Sequence, residues 1–561
     1  MNKYFFLLFL SLFSFAQNNY PTNYFQPPLD INLYLTGNFG ELRSNHFHSG
    51  LDFATYGKEG FHVFAAASGY VSRIKVSPFG YGKALYITHP NGYTTVYAHL
   101  QKYAPKIEEI VKKAQYQQKR FDVELFFKAT EITVDECELV ALSGNSGGSE
   151  GAHLHFEIRD TKSEYIINPL HFGFDKLIAD TEKPSIYSLL VYPLNEKSVV
   201  NTSLQPVLVP LTKQNDSTYI ASPVLAMGEI GFSVQAFDYQ QKKGNKNGVY
   251  KVQSFINDTL SYDYQMDTFS FDETRYINNF IDFEKNKTTS LKFQKLFYKN
   301  PYPLSIINHN KNSGKINVSG NDTLLYSIKV SDFHKHTVSI EVPVRKQFQK
   351  PIIPSNVKKT KYLVKHKTEN IFGNDTVEVY FPKGSVYDDF YLDYEYKNGV
   401  LKLNNPTVPI HNAVTLKFSV EKYTETQRNK MFIAEIVGSK VDYISTYKTE
   451  KLFSGKIKSF GTFKLLTDTI APKITNCNLL KNKTITNQKH ISATITDLLS
   501  GIKTYNGYLN NQWILMEYDA KNDKLIHYLD DAFLVSGKNI LRIEVTDNCE
   551  NTTTFEVEFF K

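Results

Sequence analysis

Residues 84–100, with the sequence ALYITHPNGYTTVYAHL, decide the fold class of the N-terminal part of this 561-residue chain. Two runs of apolar, aromatic and β-branched residues flank Asn91-Gly92, a dipeptide that tolerates positive φ at both central positions of a tight turn. The segment therefore predicts an antiparallel hairpin whose second strand delivers His99 at its far end. Residues 71–76 (VSRIKV) predict a further strand just before it, so this region is expected to be an antiparallel β-structure.

One helix is predicted between this hairpin and a glycine-rich loop at residues 143–148 (SGNSGG). Pro105 suits the first position of a helix, where its missing N–H costs nothing. The apolar residues after it recur at helical spacing: Ile107, Ile110, Val111 and Ala114. We expect this helix to be an insertion that packs on the β-domain.

The remainder of the chain is β-rich and carries an internal repeat. Residues 180–186 (DTEKPSI) recur as residues 468–474 (DTIAPKI), and residues 328–332 (IKVSD) are echoed by residues 543–547 (IEVTD). A strand with alternating apolar and polar residues follows each of these two segments. The repeat predicts two related β-sandwich units, each opened by an Asp-Thr…Pro linker and closed by a hairpin. Residues 377–384 (VEVYFPKG) predict a strand and turn in a third β-unit between them.

The start of the chain, MNKYFFLLFLSLFSFAQ, has one lysine followed by an apolar run and small residues at Ser14 and Ala16. This pattern is typical of a secretory signal peptide, here residues 1–16, and is too short to span a membrane. No later apolar run is long enough to cross a bilayer. We therefore expect an exported protein, located in the periplasm or cell envelope or secreted.

Composition excludes some classes of function. The formal net charge is +7, but lysines and acidic residues are interleaved, with no arginine-rich run or zinc-finger spacing, so nucleic-acid binding is unsupported. Three cysteines in a chain of this length exclude a disulfide scaffold. We expect Cys477 and Cys549 either to form a disulfide between the first and last strands of the last unit or to be two unrelated thiols. Cys137 is expected to be free and buried.

Five residues near the front carry the chemistry: His48, Asp52, His99, His153 and His155. Two histidines and one carboxylate are a complete protein ligand set for catalytic zinc, which keeps its fourth position open for water. The two remaining histidines could then stand on either side of that water. Residues two apart on a strand share a face, so His153 and His155 point to the same side.

Histidine motifs that occur singly elsewhere in the chain are weak evidence for a metal site. The pair His334 and His336 aligns, through the internal repeat, with residues 548–551, so it is expected to be a solvated hairpin tip. His46, His62 and His89 are expected to be structural or solvent-facing. Glu157 shares the face of His155 and is expected to be an ordinary strand-edge carboxylate, with a supporting contact to the metal site as the alternative.

Residues 48–52 (HSGLD), 97–99 (YAH) and 151–158 (GAHLHFEI) resemble the motifs of the lysostaphin/LytM-type zinc metalloendopeptidases, which cleave peptide cross-links in peptidoglycan. The resemblance spans residues 30 to 170. It implies that His48, Asp52 and His155 bind one Zn²⁺ and that His99 and His153 are catalytic. It also implies a compact, duplicated-hybrid-motif-like antiparallel β-domain with the metal in a groove, and peptidoglycan as substrate.

The expected fold is therefore mainly β: a compact antiparallel zinc peptidase domain with an inserted helix, followed by about three Ig-like β-sandwich domains. The predicted boundaries are 17–179 for the peptidase domain and 180–349, 350–467 and 468–561 for the β-units.

No His-Glu-x-x-His helix is present, so either His99 or His153 would take the water proton while the other steadies the oxyanion. The sequence leaves open which does which.

Two other functions remain open at this stage. A latent or inactive member of the family would act as an envelope scaffold or as an activator of other wall hydrolases. Alternatively, the β-units would be the functional part, binding glycan or other envelope proteins, with the peptidase domain as a passenger.

Overall fold

The computed structural model of the protein describes residues 20–240, 244–319, 323–347, 350–404, 406–529 and 533–561. The predicted signal peptide, residues 1–16, lies outside these ranges. The chain is mainly β, with several β-sheet units after the N-terminal part, as the sequence predicts. No helix in the described ranges is both long enough and apolar enough to cross a membrane.

The N-terminal part is an antiparallel β-structure with one long helix. Its strands are β1 (Leu35–Gly37), β2 (Leu51–Ala54), β3 (His62–Phe64), β4 (Gly69–Val76), β5 (Lys83–Thr88), β6 (Tyr93–Ala98), β7 (Lys102–Tyr103), β8 (Val123–Phe126), β9 (Thr133–Val134), β10 (Leu139–Leu142), β11 (His153–Asp160) and β12 (Ile166–Ile167). The helix is α1 (Pro105–Gln118), and 3-10 turns follow at Pro169–Phe172 and Phe174–Lys176. The predicted hairpin (β5 and β6) and the predicted helix are both confirmed.

The main sheet of this part has the strand order β1-β2-β11-β6-β5-β4-β8, and a small sheet has the order β3-β10-β7. Strand β11 is central, because it pairs antiparallel with β2 on one side and β6 on the other. In this register His155 lies opposite Asp52 of β2 and Ala98 of β6. Helix α1 buries Ile107 and Val111 against the β-structure.

The second part of the chain forms a large sheet that is joined to the first. Its strands are β13 (Ser185–Pro193), β14 (Val199–Val200), β15 (Val207–Val209), β16 (Leu211–Asn215), β17 (Thr218–Ala221), β18 (Val224–Phe237), β19 (Lys251–Ile256), β20 (Thr259–Gln265), β21 (Thr268–Phe269), β22 (Gln294–Lys295), β23 (Ile307–Asn310), β24 (Ile316–Val318), β25 (Leu324–Ser331) and β26 (Thr337–Lys346). Its helices are α2 (Ile277–Phe280) and α3 (Phe283–Thr289), with 3-10 turns at Thr274–Tyr276 and Lys311–Gly314. Strand β21 pairs with β12, and one hydrophobic core runs from Phe25 to Val344.

The third and fourth parts each have a core of their own. The third part forms two five-stranded sheets and a two-stranded sheet, and the fourth part forms two four-stranded sheets. The third contains β27 (Leu363–Val364), β28 (Asn370–Gly373), β29 (Val377–Phe381), β30 (Phe390–Tyr391), β31 (Tyr394–Lys397), β32 (Val400–Leu403), β33 (Val414–Ser419), α4 (Glu425–Asn429), β34 (Met431–Val437), β35 (Lys440–Ile444), β36 (Thr446–Lys448), β37 (Leu452–Ile457) and β38 (Gly461–Thr467). The fourth contains β39 (Lys473–Thr475), β40 (His490–Thr496), β41 (Ile502–Leu509), β42 (Gln512–Ile514), β43 (Glu517–Asp519), β44 (Lys524–Tyr528), β45 (Lys538–Asp547) and β46 (Thr552–Phe560). The exact domain boundaries stay a prediction.

The expectations about cysteines hold only in part. Cys477 and Cys549 are both free, so the observed alternative is the one with two unrelated thiols and not the disulfide. Cys477 follows β39 and Cys549 precedes β46, and these two strands belong to opposite sheets. Cys549 instead packs against Phe432 and Ala434 of the preceding part. Cys137 is free, as expected, but exposed rather than buried.

Candidate metal centre

The five candidate residues converge where the neighbouring strands β2, β11 and β6 of the main sheet lie side by side. Strand β11 carries His153 and His155 two positions apart, so both side chains face the same side. Asp52 lies on β2 directly opposite His155, and His48 lies in the loop that leads into β2. His99 follows the last residue of β6 and adopts a positive φ of 58°. The hairpin predicted from the sequence therefore brings His99 to the same place.

The side chains of His48, Asp52 and His155 are buried and present three donor atoms to one point. Asp52 Oδ1 lies 3.0 Å from His48 Nε2 and 2.8 Å from His155 Nδ1, and the two nitrogens are 3.1 Å apart. Ligands at about 2.0–2.2 Å from a tetrahedral zinc ion lie about 3.3 Å from one another. The spacing and the donor types therefore fit a zinc-sized ion.

Each donor atom is left free because the other end of its side chain is occupied. His48 Nδ1 donates to the carbonyl oxygen of Asn38 at 2.7 Å, which leaves Nε2 with its lone pair. His155 Nε2 donates to Glu157 Oε1 at 2.8 Å, which leaves Nδ1 facing the shared point. Arg43 donates to Asp52 Oδ2 at 3.0 Å, which leaves Oδ1. Such outer contacts fix the orientation and tautomer of metal-binding histidines.

Glu157 is not an ordinary strand-edge carboxylate. Its side chain is 0 % exposed and sits beneath His155. Ser49 Oγ donates to Glu157 Oε1 at 2.6 Å, Tyr81 donates to the same oxygen, and Arg159 Nε donates to Oε2 at 2.7 Å. Burial opposes its ionisation, but Arg159 and His155 hold the pKa of Glu157 well below its usual range. The supporting contact, which the sequence left as the alternative, is the one observed.

The charges of these carboxylates act on His155. Burial alone would lower the pKa of His155, but hydrogen bonds to Asp52 and Glu157 and their negative charges raise it to about 9. Burial also opposes ionisation of Asp52, yet the charge of His48 and hydrogen bonds from the three histidines around it hold the pKa of Asp52 well below its usual range. In the ion-free chain, a proton therefore occupies the place where a metal would bind His155.

His99 and His153 stand beside this group with their rings 4.8 Å apart between centroids. His99 Nδ1 donates to the carbonyl oxygen of Ser146 at 2.9 Å, so Nε2 is free to accept. Burial, then the neighbouring His155 and His153, lower the pKa of His99 to about 3, so this ring is neutral. His153 Nδ1 donates to the carbonyl oxygen of Gly151 at 2.8 Å, and its Nε2 lies 3.3 Å from Asp52 Oδ1.

The glycine-rich loop fixes the position of His99. Ser146 Oγ donates to the carbonyl oxygen of Leu100 at 2.7 Å and accepts from the backbone N–H of Lys83 at 3.0 Å. Gly147 follows with a φ of +72°, and a Cβ at this position would lie 2.3 Å from the backbone nitrogen of Gly82. Only glycine fits there, which explains the glycine-rich composition of the loop.

The other histidines follow the sequence expectation only in part. His46 and His62 are exposed, and His89 is buried with hydrogen bonds to Ser68 and Thr95. His334 and His336 occupy the turn between β25 and β26 as predicted, but they are only partly exposed and contact carboxylates.

Sequence reasoning missed several supporting residues, which are Asn38, Arg43, Ser49, Tyr81 and Ser146. Ser49 directly follows His48, and this adjacency was the only indication available. No feature of the sequence indicated Tyr81, whose ring stacks on the ring of His155 with 5.3 Å between the centroids.

Comparisons with known proteins match the part of the chain that contains His48, Asp52 and His99. Residues 46–116 match Peptidase family M23, and residues 361–468 match the Zu5-like domain. An uncharacterized metalloprotease of Haemophilus influenzae is 34% identical over 110 residues, which cover 20% of this chain and 18% of the relative. The DD-carboxypeptidase/endopeptidase Mpg of Neisseria meningitidis serogroup B is 31% identical over 118 residues, 21% of each chain. The chain thus spans about a fifth of the length of these curated relatives.

Solved structures match about a quarter of the chain. The catalytic domain of lysostaphin from Staphylococcus simulans is 22% identical, with 26% of this chain and 93% of that chain covered and a TM-score of 0.20. The catalytic domain of the prophage-encoded M23 protein EnpA from Enterococcus faecalis is 21% identical, with 28% of this chain and 98% of that chain covered and a TM-score of 0.19.

Proposed function

Because the N-terminal part of the chain belongs to peptidase family M23, we propose that the protein is an exported zinc-dependent endopeptidase. Its proposed substrate is peptidoglycan, in which it cleaves peptide bonds of stem peptides or cross-links by metal-activated water. The observation that carries the proposal is the convergence of three donor atoms at 2.8–3.1 Å from one another, each freed by a second hydrogen bond to its side chain.

His48, Asp52 and His155 are the proposed ligands of one zinc ion. Two imidazole nitrogens and one carboxylate oxygen form a typical protein set for catalytic zinc and leave a fourth position open. When bound, zinc supplies Lewis-acid chemistry, which activates water and polarises a carbonyl group. The hydrogen bonds from His48 to Asn38 and from His155 to Glu157 keep the two metal-facing nitrogens unprotonated once the ion is in place.

His99 and His153 are the proposed catalytic residues. His99 has its Nδ1 hydrogen-bonded to the carbonyl oxygen of Ser146 and its Nε2 free, so it is proposed to accept the proton of the attacking water. His153 donates from Nδ1 to the carbonyl oxygen of Gly151, and its Nε2 lies 3.3 Å from Asp52 Oδ1. As the second histidine beside the three proposed ligands, His153 is proposed to donate a hydrogen bond to the oxyanion of the substrate.

Export and substrate follow from different observations. The N-terminal residues 1–16 have the composition of a signal peptide, and a peptidoglycan substrate requires a location outside the cytoplasmic membrane. The Neisseria meningitidis relative is named as a DD-carboxypeptidase/endopeptidase, which supports a peptide substrate. The β-units at 180–349, 350–467 and 468–561 are proposed to position the peptidase domain in the envelope.

One observation favours the second candidate, a latent chain that acts as a scaffold or activator. Lys521, in the last part of the chain, donates to the carbonyl oxygen of Ser149 at 3.0 Å and to Asn145, both in the loop beside His153. Nearby, Lys83 of β5 forms an ion pair with Glu517 at 2.9 Å. The last part of the chain thus contacts the loop beside the metal centre. If the chain is latent, its activation would require these contacts to break. If the chain is latent, Lys521→Ala will raise turnover.

Digestion of purified peptidoglycan tests the proposed function. The full mature chain should release soluble fragments with new amino termini, detected by amine labelling and mass spectrometry. Prior removal of metal with a chelator should abolish release, and added zinc should restore it. His62→Ala, at an exposed histidine outside the site, is the matched control and should digest normally. Absence of new amino termini from the zinc-loaded wild type would reject the peptidase and leave the scaffold.

A further inference from the structure

A second group of carboxylates converges where the second part of the chain meets the first. Asp180 lies in the linker that opens this part, and Asp332 follows β25. Donor atoms of Asp180, Asp332 and His336 lie within 4.8 Å of one another. Asp180 and Asp332 are also the acidic residues that the internal repeat places at matching positions, as Asp468 and Asp547, in the last part.

Asp238, just after β18, faces the same place. Its side chain is buried, with the residue only 5 % exposed, and Oδ1 has no hydrogen-bond partner in the described parts of the chain. Asn247 pairs with it through two backbone hydrogen bonds of 3.0 and 2.9 Å, so the two side chains lie on one side of the bridge. Asn247 is 2 % exposed, and its Oδ1 is likewise without a partner among the described residues.

These oxygens border a small cavity. Asp180, Asp238, Asn247 and His334 line a space of about 30 Å³, which is enough for one ion or one water molecule. Buried oxygens without donors are costly, since each loses its contacts with water and gains none in the protein. A bound cation would satisfy them together.

Three carboxylates lie in this region, and the nearest basic groups in the described parts of the chain are two histidines. Burial raises the pKa of Asp238 to about 8, and the charges of Asp180 and Asp332 contribute to this rise. Burial also raises the pKa of Asp180 and of Asp332. Partial compensation comes from His334, whose Nδ1 lies 3.6 Å from Asp180 Oδ2, and from His336, whose Nδ1 lies 2.7 Å from Asp332 Oδ2.

We propose that Asp180 and Asp238, together with Oδ1 of Asn247, bind one Ca²⁺ ion in this cavity, with the carboxylate of Asp332 next to that of Asp180. Carboxylate and amide oxygens are the ligands that calcium prefers, and softer metals favour nitrogen and sulfur. His336 acts as a positioning residue, because its backbone N–H and its Nδ1 both contact the carboxylate of Asp332. This site is separate from the proposed zinc centre and does not depend on the protein being a peptidase.

The last part of the chain offers a matched control. Asp468, Asp497 and Asp547 also lie within 4.8 Å of one another, at positions related by the repeat. Their carboxylates, however, accept hydrogen bonds from the backbone N–H groups of neighbouring turns, which are those of Ile470, Ser500, Leu499, Gly501, Cys549 and Asn551. In the described residues, no oxygen of these three carboxylates is both buried and without a partner, in contrast to Oδ1 of Asp238 and Oδ1 of Asn247, so no ion is proposed there.

The proposed ion is connected to the zinc centre by hydrogen bonds. Gly248, next to Asn247, accepts from Asn38 Nδ2 at 2.7 Å and donates to Asn38 Oδ1 at 2.8 Å. The carbonyl oxygen of Asn38 in turn accepts from His48. Calcium would therefore stabilise the junction that orients one proposed zinc ligand.

Calcium binding by the full, zinc-loaded chain tests the proposal. Equilibrium dialysis against radioactive calcium should give about one ion per chain for the wild type. Asp238→Asn, which keeps the size of the side chain, should weaken binding at least about tenfold, whereas Asp497→Asn should bind as the wild type does. Zinc content and circular dichroism verify that both variants are folded. The proposal is overturned if the wild type binds no calcium, or if Asp238→Asn binds it normally.

Thermal unfolding gives an independent measurement. Saturating calcium should raise the Tm of the wild type and of Asp497→Asn by about 5 °C, because only the folded chain holds the site. Asp238→Asn should show no such rise. If Asp497→Asn loses the calcium effect while Asp238→Asn keeps it, the ion lies in the last part of the chain and the proposed site is wrong.

Discussion

Each proposed ligand at the zinc centre is held by a second polar group. The three donor atoms therefore face one point even when no ion is bound. Asn38, Arg43 and Glu157 occupy the far ends of the three ligand side chains. These partners determine which atom of each ligand side chain faces the metal. His99 and His153 are fixed in a similar way, but by backbone carbonyl groups, and the two roles can be separated experimentally.

His99→Ala and His153→Ala should each leave zinc in place while reducing turnover about 100-fold or more, the usual scale for the loss of acid–base or oxyanion assistance. Neither residue is among the three proposed ligands. Zinc content by mass spectrometry and rates on peptidoglycan fragments check both parts. A variant that loses its zinc would identify that histidine as a ligand instead.

Zinc loading should release about one proton per chain at pH 7.5. Asp52 and Glu157 raise the pKa of His155 to about 9 in the ion-free chain, so the ring is protonated below that pH. Zinc needs the lone pair of Nδ1 and must displace this proton. The affinity for zinc should therefore increase as the pH rises towards 9 and then level off. Calorimetry in buffers of different ionisation enthalpy measures the proton; a value near zero would contradict the expected charge of His155.

The ligand types could be predicted from the sequence, but most of their supporting partners could not. Histidine and aspartate at these spacings indicate metal chemistry by their identity alone. Glu157 is informative only once burial is known, because the same alternation is typical of an exposed strand edge. Arg43 and Asn38 reach the site through the packing of the loop before β2, which leaves no periodic pattern in the sequence.

At the scale of elements, the loop at residues 143–148 positions His99, one of the two proposed catalytic histidines. Gly147→Ala should reduce turnover about 100-fold while zinc content is unchanged, because a Cβ there collides with Gly82 and shifts the carbonyl group that holds His99. The strain should also cost about 1–3 kcal/mol of stability.

Gly151→Ala, close by in the chain, is the control for this loop. A Cβ at Gly151 meets no atom within 4 Å, so activity and stability should stay near wild type. Rates and thermal unfolding of both variants test the difference. Equal behaviour of the two variants would show that the loop does not position His99.

The elements themselves could largely be predicted. Asn91-Gly92 fixes the hairpin of β5 and β6, and Pro105 with the apolar spacing after it fixes the start of α1. Pairing between distant strands could not be predicted. The contact of β12 with β21, about 100 residues apart, depends on the shapes of two sheets rather than on any local pattern.

At the scale of the whole molecule, the internal repeat correctly relates the two hairpins, β25 with β26 and β45 with β46, whereas the disulfide considered between the first and last strands of the last unit is not observed. Titration of the denatured, unreduced protein should count three thiols per chain, because Cys477 and Cys549 belong to different surroundings. In the native protein, the exposed Cys137 should react first. A count of one would require a disulfide and would contradict the arrangement of the two sheets.

The last part of the chain meets the metal centre through Lys521 and through the ion pair of Lys83 with Glu517. Aromatic contact of Trp513 with Tyr116 of α1 adds to this interface. The inserted helix thus provides a surface on which the last part docks. The proposed peptidase site and the proposed calcium site both lie near junctions between parts of the chain, so the whole chain is the relevant unit for every test.

Zinc analysis of the purified mature chain and of His155→Ala tests the central claim most directly. The wild type should contain about one zinc per chain, bound by His48, Asp52 and His155, and the variant should lose both the zinc and the hydrolysis of peptidoglycan. Full zinc occupancy in His155→Ala would contradict the proposed centre.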